Sequence, residues 1–391
     1  MYIPRRLSAH LKTLFKKFPI LALNGPRQSG KSTLVKHVFP EKPYINLEAP
    51  DVRETAMEDP RGFLARYPDG AIFDEAQRFP ELFSYLQEFV DEDGRMGLFI
   101  LTGSQQFGLK TGITQSLAGR VAMTTLLPFE TEERRKGSIE VQSLNEELFR
   151  GGYPPIYDRN MDPGEWFPSY VETYLERDVR NMLNVKDLRI FQRFLKLCSG
   201  RVGQLLNYSA LSAECGVSYN TIKEWISVLE ASYLIYLLPP YHRNFKKRLV
   251  KTPKLYFYDT GLAAWLIGIR DVRTLAVHPM RGALFECFII NEILKREVHS
   301  SQRAQIYFFR DRTGNEVDLI YENSRGCYGV EIKSGITVSA DHHRGLKFWK
   351  KLQEGKEIQT FLVYGGDQVY TRNEIHHIPW KAWPGENFLT V

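Results

Sequence analysis

The sequence predicts an α/β protein that opens with a parallel-sheet phosphate-binding core, and three stretches carry that prediction. Ile20-Leu21-Ala22-Leu23 is an apolar run that leads into Gly25-Pro26-Arg27-Gln28-Ser29-Gly30-Lys31-Ser32, which meets GxxxxGK(S/T) at every fixed position. Ala71-Ile72-Phe73 is a second apolar run and ends on Asp74-Glu75. Leu98-Phe99-Ile100-Leu101-Thr102-Gly103-Ser104 is a third and ends on a polar residue. Strand, glycine loop, helix, acidic strand and polar strand is the order of a parallel α/β nucleotide-binding domain, expected over residues 1–135.

Each element has a chemical reason. Glycines let successive backbone N–H groups turn towards phosphates, and the helix that follows begins there with the positive end of its dipole. Lys31 is expected to neutralise the β and γ phosphates, Ser32 to ligate Mg²⁺, and Gly25 to Thr33 together to form the nucleotide cradle. Asp74 is placed to hold Mg²⁺ through water, Glu75 to polarise the attacking water, and Ser104 to sense the γ-phosphate or orient that water.

These residues resemble the prokaryotic AAA-type ATPases with a GPRQ phosphate loop, here Gly25-Pro26-Arg27-Gln28, of the AAA+ superfamily. The likeness continues through Ser116-Leu117-Ala118-Gly119-Arg120, Leu127-Pro128-Phe129, Gly151-Gly152-Tyr153-Pro154 and Tyr174-Leu175-Glu176-Arg177-Asp178-Val179 into a C-terminal half of unassigned function. The resemblance implies ATP and Mg²⁺ as cofactors, hydrolysis, and often a homo-oligomer. In an oligomer, Arg120 or Arg177 is a candidate for an arginine that reaches a neighbour's γ-phosphate. For either one, a structural ion pair is the competing reading.

Composition agrees with an ordinary globular chain of 391 residues, 43% hydrophobic and 25% charged. No apolar run approaches a membrane span, and the basic residues after Met1 have no apolar segment behind them. Cys198, Cys215, Cys287 and Cys327 are scattered and form no CxxC, so a reducing cytoplasm is expected and a zinc or disulfide framework is not. The net charge of +6 is compatible with a nucleic-acid partner without requiring one.

The placement of that charge is more telling. From Tyr241 to Lys254 there are six Lys or Arg and no acid. Upstream, Leu205–Glu214 and Tyr219–Glu230 have helical apolar spacing and flank Cys215-Gly216-Val217-Ser218, with Ser218 as an N-cap. Strands are expected at Leu234–Leu238 and Leu255–Tyr258, which completes a winged-helix outline. On DNA, Ser218, Tyr219, Asn220, Thr221 and Lys223 would face the duplex, while Arg243, Lys246, Lys247 and Arg248 meet phosphates. The competing reading is a packing module with a solvated basic loop.

The last third carries a second constellation. Ile306–Arg310 and Glu316–Tyr321 read as a hairpin, and Tyr328–Ser334 as the next strand. Period-two alternation puts Glu331 and Lys333 on one face, where they can meet Asp318. Two carboxylates and a lysine at adjacent strand ends suit metal-dependent phosphodiester cleavage. The arrangement resembles the PD-(D/E)xK nuclease superfamily, whose third acid would correspond to Glu286 on the helix Arg281–Arg296; Val317 stands where that family often has proline. The alternative is a cross-strand ion pair in a fold that has lost its chemistry.

The expected architecture is therefore a P-loop NTPase core over 1–135, a helical lid over 136–190, a winged helix over 191–275 and a restriction-endonuclease-like α/β domain over 276–391. The expected function is an ATPase acting on DNA, branched forms included. A nucleotide-dependent signalling switch with an inert C-terminal domain and an ATP-regulated nuclease are the alternatives.

Overall fold

Ile20–Asn24, apolar up to its last residue, forms a strand buried on both faces, as a central parallel strand requires. The computed structural model describes residues 2–104, 116–175, 187–241, 250–300, 304–353 and 358–384. The N-terminal elements run α1 (Leu7–Phe15), β1 (Ile20–Asn24), α2 (Lys31–Val38), β2 (Tyr44–Asn46), α3 (Pro50–Glu58), α4 (Pro60–Ala65), β3 (Ile72–Asp74), α5 (Leu82–Asp93), β4 (Phe99–Thr102) and β5 (Val121–Thr125). The strands form one sheet, ordered β2-β3-β4-β1-β5 and parallel throughout. Alternate β1 residues face opposite layers. Ile20 and Ala22 pack with Phe63 and Leu64 of α4 and Leu82, Phe83 and Leu86 of α5. Leu21 and Leu23 pack with Leu7 and Leu11 of α1 and Leu34 and Val35 of α2. This double winding brings the loops after β1, β3 and β4 to one edge of the sheet.

The chain then continues through α6 (Thr131–Lys136), α7 (Leu144–Arg150), α8 (Pro154–Asp158), α9 (Pro163–Tyr170), α10 (Leu188–Ser199), α11 (Tyr208–Cys215) and α12 (Tyr219–Ala231). β6 (Ile235–Leu238) and β7 (Lys254–Phe257) pair antiparallel, and α13 (Thr260–Leu266) and α14 (Val272–Val277) follow. α11 starts at Tyr208, not Leu205, because the Asn207 side chain accepts from the Ala210 N–H at 3.0 Å and caps the helix there. A π-helical turn, Val171–Leu175, follows α9 directly.

α15 (Arg281–His299) is buried on most of its circumference and runs one turn beyond Arg296. It leads to β8 (Gln305–Arg310), β9 (Glu316–Asn323), β10 (Gly326–Lys333), α16 (Arg344–Leu352), β11 (Ile358–Tyr364), β12 (Tyr370–Arg372) and β13 (Ile375–Pro379). These six strands form a mixed sheet, ordered β12-β13-β11-β10-β9-β8. One apolar cluster runs from Leu144 to Trp383, so packing joins the expected lid, winged-helix and nuclease-like segments. No helix among the described residues is long and apolar enough to cross a membrane.

Candidate functional site

The phosphate loop is shaped by residues that tolerate unusual backbone. Gly25 has φ 144°, and a Cβ there would lie 2.1 Å from the Leu126 carbonyl oxygen on the segment leaving β5. Gly30, at φ 91°, is the N-cap of α2. Lys31 is only 6% exposed; its Nζ donates to the carbonyls of Gly25 at 3.0 Å and Pro26 at 2.8 Å. The lysine is thus folded over its own loop. Ser29 is buried, whereas Thr33 lies exposed on the first turn of α2.

Across the loop, the Ser32 hydroxyl donates to Asp74 Oδ2 at 2.8 Å. Asp74 also accepts from Tyr44 OH on β2 and Thr102 Oγ1 on β4, the two strands that flank β3. Burial, and then the bond to Asp74, raise the Tyr44 phenol well above its usual value, so it remains a donor. A hard carboxylate and a hydroxyl at this separation suit Mg²⁺. Glu75 leaves the strand at φ 55° and accepts from Ser104 Oγ at 3.1 Å and Gln77 Nε2 at 2.5 Å. Ser104 therefore orients Glu75 here. Tyr44, Thr102 and Gln77 complete a site that motif reading left unassigned; Thr102 and Gln77 stand inside stretches already singled out, and Tyr44 sits on a strand too short to carry a pattern.

Arg120 is committed to Asp91 within the chain, at 2.5 and 2.7 Å, which is the ion-pair alternative for this residue. Arg177 lies outside the described residues.

The pair α11 and α12 buries Ile222, Trp225, Ile226 and Leu229 and leaves the start of α12 open. Ser218 accepts from the Thr221 N–H at 3.1 Å, and the two hydroxyls lie 2.8 Å apart, so both serve the helix start. Tyr219 is 49% exposed and packs beside Tyr208, while Asn220 and Lys223 are exposed. Arg243, Lys246, Lys247 and Arg248 lie outside the described residues; Tyr241 and Val250 on either side bond to Phe308 and Arg310 of β8.

Glu286, Asp318, Glu331 and Lys333 come together as expected. Antiparallel register pairs Val330 with Leu319, which sets Glu331 opposite Asp318. Lys333 Nζ lies 2.6 Å from Glu331 and 3.4 Å from Asp318. Burial, then Asp318, push the Glu331 carboxyl up to about 8, against the opposing pull of Lys333. Glu331 Oε2 is buried with no hydrogen-bond partner. Glu286 joins the cluster, but its own partners are ones the sequence did not suggest: the Tyr256 hydroxyl, which donates to it, and Lys254 of β7, 3% exposed, with Nζ 3.1 Å from Glu286 and 2.6 Å from Glu316. Burial raises Glu286, and Lys254 opposes that rise.

Comparison with known proteins follows the same division. An AAA domain matches residues 17–134. Two domains of unknown function match the rest, DUF8612 over 141–273 and DUF4143 over 281–383. The uncharacterized protein Rv2008c of Mycobacterium tuberculosis is 32% identical over 395 residues, covering 100% of this chain and 86% of its own. An uncharacterized Haemophilus influenzae protein is 25% identical over 182 residues, 43% of this chain and 46% of its own. Among solved structures, a Walker-type ATPase of Pyrococcus abyssi aligns with TM-score 0.43 and 17% identity, covering 66% of this chain and 94% of that one. Thermotoga maritima RuvB aligns with TM-score 0.30 and 20% identity, covering 60% and 88%. With a complete phosphate loop, its acidic strand and an AAA domain over residues 17–134, the chain is an AAA-type P-loop protein, and the likeness that spans its whole length places it in one family with the uncharacterized Mycobacterium tuberculosis protein.

Proposed function

We propose that this protein binds and hydrolyses ATP at the edge of its parallel sheet and uses the cycle to act on DNA, branched forms included, as a homo-oligomer. The observation that carries the reading is the Lys31–Ser32–Asp74–Glu75 constellation: Lys31 lies on the phosphate loop, Ser32 bonds Asp74, and Glu75, the next residue, is held by Ser104. Lys31 leaves the Gly25 and Pro26 carbonyls to neutralise the β and γ phosphates. Ser32 and Asp74 would hold Mg²⁺, which would supply charge neutralisation at the phosphoryl oxygens. Glu75, steadied by Ser104 and Gln77, orients the attacking water and accepts its proton.

For the DNA part, support comes from the open start of α12 and from the basic stretch Arg243–Arg248 on the connection between β6 and β7. The test is the ATPase rate against duplex, single-stranded and branched DNA at low salt. Stimulation by one form supports the reading; no stimulation and no binding to any form removes DNA from it and favours the nucleotide-switch alternative.

One observation favours a second activity. Glu331 Oε2, buried and unpartnered beside Asp318 and Glu286, is an open acceptor in a carboxylate cluster, and a divalent cation satisfies it. On this reading Asp318, Glu331 and Glu286 would hold the cation, and Lys333 would position a water for phosphodiester cleavage. Incubation of plasmid with Mn²⁺ and the wild-type or Lys333→Ala protein tests it: nicking by the wild type alone supports cleavage, and intact plasmid in both lanes contradicts it.

A further inference from the structure

The loop that cradles phosphate is held from outside by a residue that no nucleotide motif includes. Arg5 is 6% exposed and spends its whole guanidinium on three partners. Nη1 donates to the Ser29 carbonyl in the phosphate loop at 2.8 Å, Nη2 to the Leu127 carbonyl at 2.6 Å, and Nε to Glu133 at 3.1 Å. The Arg5 guanidinium also lies over the Phe129 ring at 4.5 Å. Beyond Arg5 the network continues without a break. Glu133 accepts from the Arg6 N–H at 2.8 Å, and Glu130 pairs with the Arg6 side chain at 3.0 Å. Both acids meet His299, the last residue of α15: its Nδ1 lies 2.7 Å from Glu130 and 3.5 Å from Glu133. His299 Nε2 accepts from the Leu127 N–H at 3.0 Å, which assigns the ring proton to Nδ1. Glu130, Glu133 and His299 have ligand-type atoms within 4.8 Å of one another, but two guanidinium groups already face the acids and Nε2 is taken, so the cluster is an ion lattice and not a cation site.

The same end of α15 is bolted to the core twice more. Glu292 accepts from the Thr131 N–H at 3.0 Å, and Lys295 donates to the Phe129 carbonyl at 3.1 Å. Thirteen residues back along the helix, about 20 Å away at helical rise, Glu286 enters the acidic centre of the mixed sheet.

In this structure the phosphate loop is seen with its own lysine folded onto it. Lys31 occupies the Gly25 and Pro26 carbonyls, which it would release to reach a bound triphosphate. Ser29, three residues further on, is gripped by Arg5 in the same loop. We propose that Arg5 is a positioning residue of the nucleotide site, which senses the setting of the phosphate loop at Ser29 and passes it through Glu133 and His299 to α15, and so to the acidic centre at its far end. The inference rests on the reading that a triphosphate binds this loop. It adds a relay, carried by buried, charge-assisted bonds that keep their geometry.

Hydrogen–deuterium exchange of the full-length protein, with and without ATPγS and Mg²⁺, tests both layers separately. In the wild type, nucleotide is expected to slow exchange at residues 25–32 and also to change it at 292–299. Arg5→Lys, which keeps the charge and cannot grip Ser29, Leu127 and Glu133 together, should retain protection at 25–32, lose the response at 292–299 and lower turnover by roughly tenfold or more. If Arg5→Lys does not fold, His299→Gln decides: nucleotide affinity within about twofold of wild type, with the distal response abolished. A wild-type response at 25–32 with none at 292–299, or a distal response that survives both substitutions, overturns the relay while leaving nucleotide binding intact. Absence of protection at 25–32 in the wild type overturns the nucleotide reading and the relay with it.

Discussion

Lys31, bonded to the loop carbonyls, and Glu75, held by Ser104, are assigned different roles, and substitution separates them. Lys31→Ala removes the only described ammonium on the loop carbonyls, and both nucleotide affinity and turnover are expected to fall, turnover by on the order of a hundredfold or more. Glu75→Gln preserves the shape and the hydrogen bond to Ser104 while removing the base; labelled ATP should bind within a few-fold of wild type, while phosphate release drops by about two orders of magnitude. Filter binding beside phosphate release reads both, and equal loss of binding and turnover in Glu75→Gln contradicts the assigned role. Residue chemistry also sets a pH response far from this site. His343 and His377 are fully buried with unpartnered ring nitrogens. Burial first, then His343 and Arg372, depress His377 to about 4; burial, then Lys347 and Arg372, lower His343. Both rings are therefore held neutral in the folded protein, and the unfolded chain binds more protons below its ordinary histidine value of about 6.5. Stability contributed by the pair is complete above that value and is lost as pH falls towards 4. The melting temperature should decline over this window, and His377→Phe, which fits beside the stacked Tyr370 ring, should flatten the decline.

At the scale of elements, the sequence was most readable where one physical need dominates a short stretch. Strand β1, the phosphate loop and the Asp74–Glu75 strand end each combine burial with fixed chemistry, and they lie where the motifs put them. The alternation of Glu331 and Lys333 likewise put both at Asp318, because a period of two leaves no other face. Partners brought from distant segments were not readable: Arg5, Tyr44, Lys254 and His299 each lie dozens of residues from the group they serve, and nothing local marks them. Helix ends followed caps that compete with apolar spacing, as Asn207 shows at α11. Loop and sheet are also coupled by backbone alone. Gly25→Ala directs a Cβ into the Leu126 carbonyl, so the phosphate loop must pull away from the β5 exit; ATP affinity is expected to fall by about tenfold or more, measured by titration with a fluorescent analogue. For the basic connection between β6 and β7, Lys246→Glu with Lys247→Glu should weaken DNA binding across sequences and make the salt dependence shallower, by about one in slope for each phosphate left unneutralised. Binding that keeps its wild-type salt dependence contradicts a phosphate-binding role for these lysines.

Across the whole molecule, two packed halves share one long helix. The parallel sheet has its own apolar layers, while the second half has one large apolar cluster that runs from Leu144 to Trp383 and a smaller one between α16 and the mixed sheet, around Trp349 and Leu346. α15 spans the second half, ending in the ion lattice that meets the first. A ligand that binds the phosphate loop therefore stabilises the sheet directly, by about 2.7 kcal/mol at a hundredfold excess over its dissociation constant. The claim on which everything else depends is chemical, and release of labelled phosphate from ATP by the purified full-length protein with Mg²⁺ measures it most directly. The account predicts turnover by the wild type that Lys31→Ala and Glu75→Gln each lower by about a hundredfold or more; phosphate release that persists undiminished in both variants, or a wild type that neither binds nor cleaves ATP, contradicts it.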